Sequence, residues 1–167
     1  PDALEQVKFL GLVVSSKGLF IDDSRVEVIR TFPRPNTPKN IKQLLGMAGY
    51  FRRFIRGFAT ITHPLRKLLC KDVPWEWGAE QEQAYQDVIG ALSSAPILQF
   101  PDPDKRFYLA CDASKYGFGA CLMQKDDNDQ LKPVAYAGRA TRRYEQSYSA
   151  SELELASLCF ATLHFYQ

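Results

Sequence analysis

The sequence predicts an α+β chain in three successive parts: a β-hairpin, a bundle of three short helices, and a β-β-β-α unit. Three observations carry this. β-branched and aromatic residues fill 7–14 and 18–21 on either side of Ser15-Ser16-Lys17-Gly18, the pattern of two strands around a turn. In the stretch PKNIKQLLGMAGYFRRFIRGF (38–58), Ile41, Leu44, Leu45, Ala48, Phe51, Ile55 and Phe58 recur at helical spacings. They share one apolar side of a helix, or of two helices joined end to end. After a proline-rich stretch the pattern changes to strands, and then back to a helix for the final element. With 167 residues, 46% of them apolar, such a chain can bury a core as one domain or two small ones.

Taken in order, 22–29 reads as a short helix that Phe32-Pro33-Arg34-Pro35-Asn36 cannot prolong, because two prolines remove donors and force extended backbone. Thr37 is then an N-cap and Pro38 a first helical residue, and Gly57 is expected to end the helix. Residues 61–69, with Ile61, Leu65, Leu68 and Leu69 on one side, give the next helix, and 79–93, with Ala84, Val88 and Leu92, the third. Between them Trp75 and Trp77 flank Glu76. Alternation predicts that both rings pack inward, a base-stacking platform being the other use of such a pair.

Residues 95–103 hold three prolines and read as an extended linker. Strands follow at 107–111, 117–124 and 133–137, with Asp126-Asp127-Asn128-Asp129 as a polar turn. A last helix, capped by Ser149 or Ser151, carries Leu155, Leu158, Cys159, Thr162, Leu163 and Tyr166 on one face. Three strands and one helix cover one face of a sheet and leave the other to further chain, a protein partner or a second copy.

Charge is spread unevenly. Between Arg30 and Lys71 there are ten Lys or Arg and no Asp or Glu, whereas the whole chain nets +2. Acidic residues outnumber basic ones on both sides, five to three before Arg30 and fourteen to eight after Lys71. Such asymmetry points to a polyanion partner, against the plainer reading of a solvated basic face. Lys42, Gly46, Gly49, Arg53 and Arg56 fall at helical spacing opposite the apolar side, and Arg52 lies in the same basic stretch. Bare backbone between cations lets a phosphodiester chain come close.

Several chemistries are excluded. Cys70, Cys111, Cys121 and Cys159 form no CxxC and have no nearby histidine pair, so they are neither a zinc site nor a disulfide framework, and a reducing, intracellular setting is expected. No signal peptide and no membrane-spanning apolar run is present. Phosphate-loop, hydrolase-elbow, zinc-protease and dinucleotide motifs are missing. His63 and His164 receive no role. Asp112 closes the 107–111 strand, where a carboxylate either makes an Asx turn or holds a metal. Glu152 and Glu154 open the last helix. Ser149 with Glu152 and Ser151 with Glu154 both match a capping box, and whichever glutamate faces the strand end could join Asp112 around a hard cation such as Mg2+.

Five ordered blocks, VKFLGLVVSSKGLFID, RPNTPKNIKQLLGMAGYFRRFIRGFATITHPLRKLL, WEWGAEQEQAYQDVIGALSSAPIL, FPDPDKRFYLACDASKYGFGACLMQ and PVAYAGRATRRYEQSYSASELELASL, resemble the reverse transcriptases of gypsy-type long-terminal-repeat retroelements and their retroviral relatives. Nearly the whole chain is covered. The resemblance implies that 1–36 is the end of a polymerase palm, with Phe9-Leu10-Gly11-Leu12 matching the primer-grip hairpin. It implies that 37–94 is a thumb gripping template-primer or an RNA–DNA hybrid, 95–104 a linker, and 105–167 the N-terminal part of a ribonuclease H-like domain.

In that family CDAS is similar to the segment whose aspartate binds metal, which carries over to Asp112, with Cys111 standing where threonine is usual. ELASL places Glu154 at the family's glutamate and leaves Glu152 as the cap. Asp112 and Glu154 are thus the expected catalytic and Mg2+-binding residues. Leu10, Gly11, Lys42, Gly46, Gly49, Arg52, Arg53 and Arg56 are the expected nucleic-acid contacts. The palm aspartates would lie upstream of Pro1 and two further ribonuclease H aspartates beyond Gln167, so the chain is expected to be inert as a polymerase alone. A second expectation is a domesticated, non-catalytic interaction module that uses the uncovered sheet face.

Overall fold

A computed structural model describes residues 6–166; the opening PDALE of the first predicted part, and Gln167, lie outside the described residues. Among the described residues, six strands form two three-stranded antiparallel sheets. They are β1 (Gln6–Phe9), β2 (Leu12–Ser15) and β3 (Gly18–Ile21), then β4 (Phe107–Ala113), β5 (Gly117–Lys125) and β6 (Leu131–Ala140). The run read as a single strand over 7–14 is broken at Leu10 and Gly11, which both take positive φ, 50° and 81°. Reversal there yields a three-stranded meander in place of the expected two-stranded hairpin. Glycine takes such a φ freely; Leu10 does so only because the turn demands it.

Helix α1 (Asp23–Arg30) is capped by the Asp22 side chain, and α2 (Pro38–Tyr50) begins as expected, with the Thr37 hydroxyl accepting the Asn40 N–H at 3.2 Å. It does not run to Gly57. Two interior glycines each disfavour helix by about 1 kcal/mol relative to alanine, and α2 gives way after Tyr50 to a 3₁₀ turn at Arg52–Phe54. Gly57, at φ 66°, instead introduces α3 (Phe58–Ile61). The helix expected over 61–69 is α4 (His63–Lys67), separated from α3 at Thr62, whose buried hydroxyl bonds the Phe58 carbonyl at 2.7 Å. Helix α5 (Ala79–Ser93) spans the expected residues. Ile41, Leu44, Ala48, Phe51, Ile55 and Phe58 are all buried despite the break, in one core with Ile29, Leu65, Val88 and Leu92.

Residues 95–102 hold no helix, as expected, and turn at 103–104, but the segment is strapped down. Leu19 and Leu98 exchange both backbone hydrogen bonds at 2.8 Å, and the Gln99 N–H reaches the Pro133 carbonyl at 2.8 Å. The segment therefore ties the first sheet to the second.

Helix α6 (Ala150–Phe165) packs on β4 and β5, capped by Ser149 in a reciprocal box with Glu152. The opposite face of the sheet is not open. It receives α3 and the 3₁₀ turn, and a Cβ on Gly117 would lie 2.8 Å from that of Ala59. Thr60 Oγ1 and Ser114 Oγ are 3.1 Å apart, and His63 stacks on Tyr116 at 4.0 Å. Small residues on β5 allow this close approach, so the chain itself covers the face left for a partner.

The face of α6 is also corrected. Leu153, Ser157 and Ala161 are buried, while Leu155, Leu158, Cys159, Leu163 and Tyr166 are exposed. Apolar residues surround most of this helix, so periodicity cannot choose a face. The choice falls to small side chains that fit against the sheet, with Ser157 Oγ donating to the Asp112 carbonyl at 3.0 Å.

Candidate nucleic-acid interface

The basic stretch becomes a surface without carboxylate partners. Of its ten cations, Arg30 pairs with Glu27 and Arg34 with Glu82. Lys39, Lys42, Arg52, Arg53, Arg56, Arg66, Lys67 and Lys71 make no ion pair among the described residues. Elsewhere Lys8, Lys105, Lys125, Lys132 and Arg139 are paired, while Lys17, Arg25, Arg106, Lys115, Arg142 and Arg143 make no ion pair among the described residues. The difference follows from sequence: a stretch with no acidic residue can be neutralised only by chain folding back on it.

Lys42, Gly46 and Gly49 lie on α2 at i, i+4 and i+7, and a Cβ at either glycine would meet nothing within 4 Å. Backbone is thus open beside a cation. Arg52 and Arg53 are exposed on the 3₁₀ turn and Arg56 just beyond it, so the single helical line expected from Lys42 to Arg56 is broken after Tyr50. Arg56 sits by the sheet, where its charge acts on Cys121 and Tyr136, although burial dominates and pushes both of those groups up.

Arg66 was not singled out by the sequence. Its guanidinium lies 5.7 Å from the Phe58 ring centroid, and burial, then the nearby Arg52 charge, holds it below the ordinary arginine value. Two like charges held close without a carboxylate favour an incoming anion. The signal available was its place four residues after Thr62 on a short helix.

At the C-terminal end of α2, Leu10 is two-thirds exposed at the tip of the β1–β2 turn. Its carbonyl accepts the Tyr50 hydroxyl at 2.9 Å, and the Gly11 carbonyl accepts the Asp22 N–H at 3.0 Å. A side chain at Gly11 would press on Arg25, whose Cγ lies 3.1 Å from the Cβ position. The turn and the C-terminus of α2 are therefore fixed to each other, with Leu10 and Gly11 at the same end as the basic turn.

Asp112 is exposed and lies inside β4, whose strand runs two residues past the expected end. Its register partner is Gly119, whose Cβ position faces Gly57 at 3.6 Å. Side chains of directly paired residues share a face, so Asp112 belongs to the α3 side of the sheet. Glu154 is exposed on α6, which covers the other side, where Phe118 meets Phe160. Two hard oxygen donors suit Mg2+ in kind, but no group of three His, Cys, Asp or Glu that could hold a metal occurs among the described residues. Two donors do not by themselves complete a metal site, and no catalytic step follows from them. Glu152 is spent on the cap, its carboxyl lowered by the Ser149 backbone and hydroxyl hydrogen bonds.

Trp77 packs as expected and Trp75 does not. Trp77 Nε1 donates to Glu82 at 2.8 Å and its ring meets Tyr85 edge-on, while Trp75 keeps 38% of its surface open. Pro74 and the absence of regular structure over 74–78 explain the difference, because alternation assigns faces only on a strand.

Residues 77–167 match the family model of the RNase H-like domain found in reverse transcriptase. The Pol polyprotein of transposon 412 from Drosophila melanogaster is 37% identical over 162 residues, covering 97% of this chain and 13% of the polyprotein. The Tf2-3 transposon polyprotein of Schizosaccharomyces pombe is 35% identical over 160 residues, covering 96% of this chain and 12% of its own length. The chain thus spans about an eighth of these relatives. Its fold is similar to that of the foamy viral protease-reverse transcriptase. The form described as dRH, in complex with double-stranded DNA, superposes with TM-score 0.79 at 23% identity, over 96% of this chain and 28% of that one. The complex with an RNA/DNA hybrid gives 0.77 at 22% identity, over 97% and 22%. By the family match and these retrotransposon relatives, the chain belongs to the family of RNase H-like domains found in reverse transcriptase.

Proposed function

We propose that this chain is the duplex-gripping segment of a gypsy-type retroelement reverse transcriptase. Its helical part holds template-primer or an RNA–DNA hybrid by the phosphates. One observation carries the reading: eight cations of a single acid-free stretch stand without a carboxylate partner, beside open backbone at Gly46 and Gly49. The foamy viral structures, described as complexes with double-stranded DNA and with hybrid, support the same class of ligand. In this reading 1–36 is the end of a palm with its primer-grip turn at Leu10 and Gly11. Residues 37–94 are the thumb, 95–104 the connecting strap, and 105–167 the beginning of the RNase H-like unit. Asp112 and Glu154 are the donors this stretch offers toward Mg2+, which in the parent enzyme supplies electrophilic stabilisation of phosphodiester cleavage. The chain's own residues contribute grip and alignment. The interaction-module reading loses one of its two motivations, since α3 and the 3₁₀ turn lie on the sheet face it required.

Affinity for a short blunt RNA–DNA hybrid, measured across salt concentrations, tests the proposal. If four of the eight cations meet phosphates, log K falls against log salt with a slope of roughly −3 to −4. Arg53→Glu with Arg56→Glu should flatten that slope and weaken every sequence alike. Absence of binding at low salt overturns the reading.

A further inference from the structure

We propose that Trp75 is the floor of a stacking site for an unpaired nucleobase, the single-stranded continuation of the duplex held by the basic stretch. The proposal rests on the duplex-gripping reading for its ligand and on separate geometry for its site. Trp75 and Trp77 stack with centroids 6.1 Å apart and planes inclined by 27°. Trp77 is the fixed member. Glu82 accepts its indole N–H at 2.8 Å and the Arg34 Nε–H at 2.7 Å, and the Arg34 guanidinium lies 5.1 Å from the ring centroid. Tyr85 closes one edge and is itself tied to the Phe32 carbonyl. Trp75 rests on this assembly with more than a third of its surface open. A large aromatic ring held rigidly at the surface offers its π-face at little entropic cost, and every base has a face to match.

Charge separates this site from the phosphate grip. Trp75 lies past the acid-free stretch, which ends at Lys71, and Glu76, Glu80 and Glu82 follow it. No phosphate is drawn there, so recognition falls to the ring. Bases inside a duplex present no free face, which makes the ligand an unpaired nucleotide. Stacking on Trp75 is therefore expected to be indifferent to sequence and, unlike the grip, to salt.

The test compares a blunt RNA–DNA hybrid with the same hybrid carrying a short single-stranded overhang, binding being followed by the fluorescence of the chain's two tryptophans. The overhang is expected to bind roughly tenfold tighter, to quench emission, and to keep that advantage as salt rises. Trp75→Ala should remove the advantage while leaving blunt-hybrid affinity unchanged, and Trp75→Tyr should retain most of it. Equal binding of blunt and overhanging hybrids, or an equal loss on both in Trp75→Ala, overturns the stacking site and leaves the grip standing. Binding of the overhang strand without the blunt hybrid supports the stacking site and removes the grip. Failure of every nucleic-acid probe, with a proline-rich peptide quenching instead, overturns the proposal in favour of a peptide groove.

Discussion

Glu145 is the buried charge whose removal the structure prices most directly. Its carboxylate is 4% exposed and takes both Arg139 guanidinium nitrogens in a forked pair, at 2.8 and 2.7 Å, together with the Arg142 backbone N–H at 2.6 Å. Arg139 also lies over the Phe118 and Phe160 rings, so the pair fastens β6 and the loop after it to α6. The Arg139 hydrogen bonds, more than offsetting burial, lower the Glu145 carboxyl from 4.5 to about 2. That displacement corresponds to about 3 kcal/mol of folding stability at neutral pH.

Glu145→Gln keeps an acceptor but loses the charge, and is expected to cost about 2–3 kcal/mol at pH 7, or roughly 5–10 °C in Tm for a chain of this size. The sign of the pH effect follows from the folded value lying below the unfolded one. Between pH 4.5 and 2 the unfolded chain binds a proton that the native chain refuses, so the contribution is whole above pH 4.5 and fades as pH falls through 2. Urea unfolding of both proteins at pH 7, 4 and 2.5 measures it, and the gap between them should narrow steadily. A gap under about 0.5 kcal/mol at pH 7, or one that stays constant down to pH 2.5, refutes the reasoning.

Three further outcomes are expected. Gly46→Ala with Gly49→Ala should raise thermal stability, by up to about 1 kcal/mol per site on helix propensity, because both Cβ positions are open. It should nevertheless weaken hybrid binding if phosphates approach that backbone, and unchanged affinity counts against the approach. Thr37→Ala removes the side-chain cap of α2 and should cost about 1 kcal/mol in chemical denaturation. Gly117→Val drives side-chain atoms into Ala59 and the Thr60 backbone, and should lower Tm and expose the Thr60 to Ser114 junction to faster amide exchange. Native-like exchange at Ser114 would show the contact to be dispensable.

What the sequence made legible was set by how many signals agreed at each element. Thr37 and Pro38 opened α2, where cap and periodicity pointed the same way, and the period of Ala84, Val88 and Leu92 marked α5. The break at Leu10 and Gly11 was hidden because a positive φ at leucine has no sequence signature. The strand pattern alone ran straight through the turn, and only the resemblance, with its primer-grip hairpin at Phe9-Leu10-Gly11-Leu12, put a reversal there. The basic residues were legible as a cluster, but their freedom from ion pairs became visible only in three dimensions, since Arg34 finds Glu82 forty-eight residues away. Asp112 and the pair Glu152 and Glu154 were legible from their places at a strand end and a helix start, and family resemblance alone chose Glu154 between the glutamates. Composition could not say on which side of the sheet each would lie.

The two misread faces share a cause with consequences for the grip. Sequence patterns assign a face by contrast, and contrast is absent where an element is apolar all round, as in α6, or small on the face in question, as at Gly117 and Gly119 of β5. On β5 the small residues are what let α3 and the 3₁₀ turn lie flat against the sheet at Gly117 and Gly119. The same contact fixes Arg52, Arg53 and Arg56 relative to that sheet, because they lead directly into Gly57 and Ala59, which face Gly119 and Gly117. Side chains at those glycines would lift the arginines away from the sheet before they altered any charge. Position of the cations, as much as their number, is therefore written in residues that carry no charge, and Gly117→Val should disturb hybrid binding in proportion to the junction it loosens.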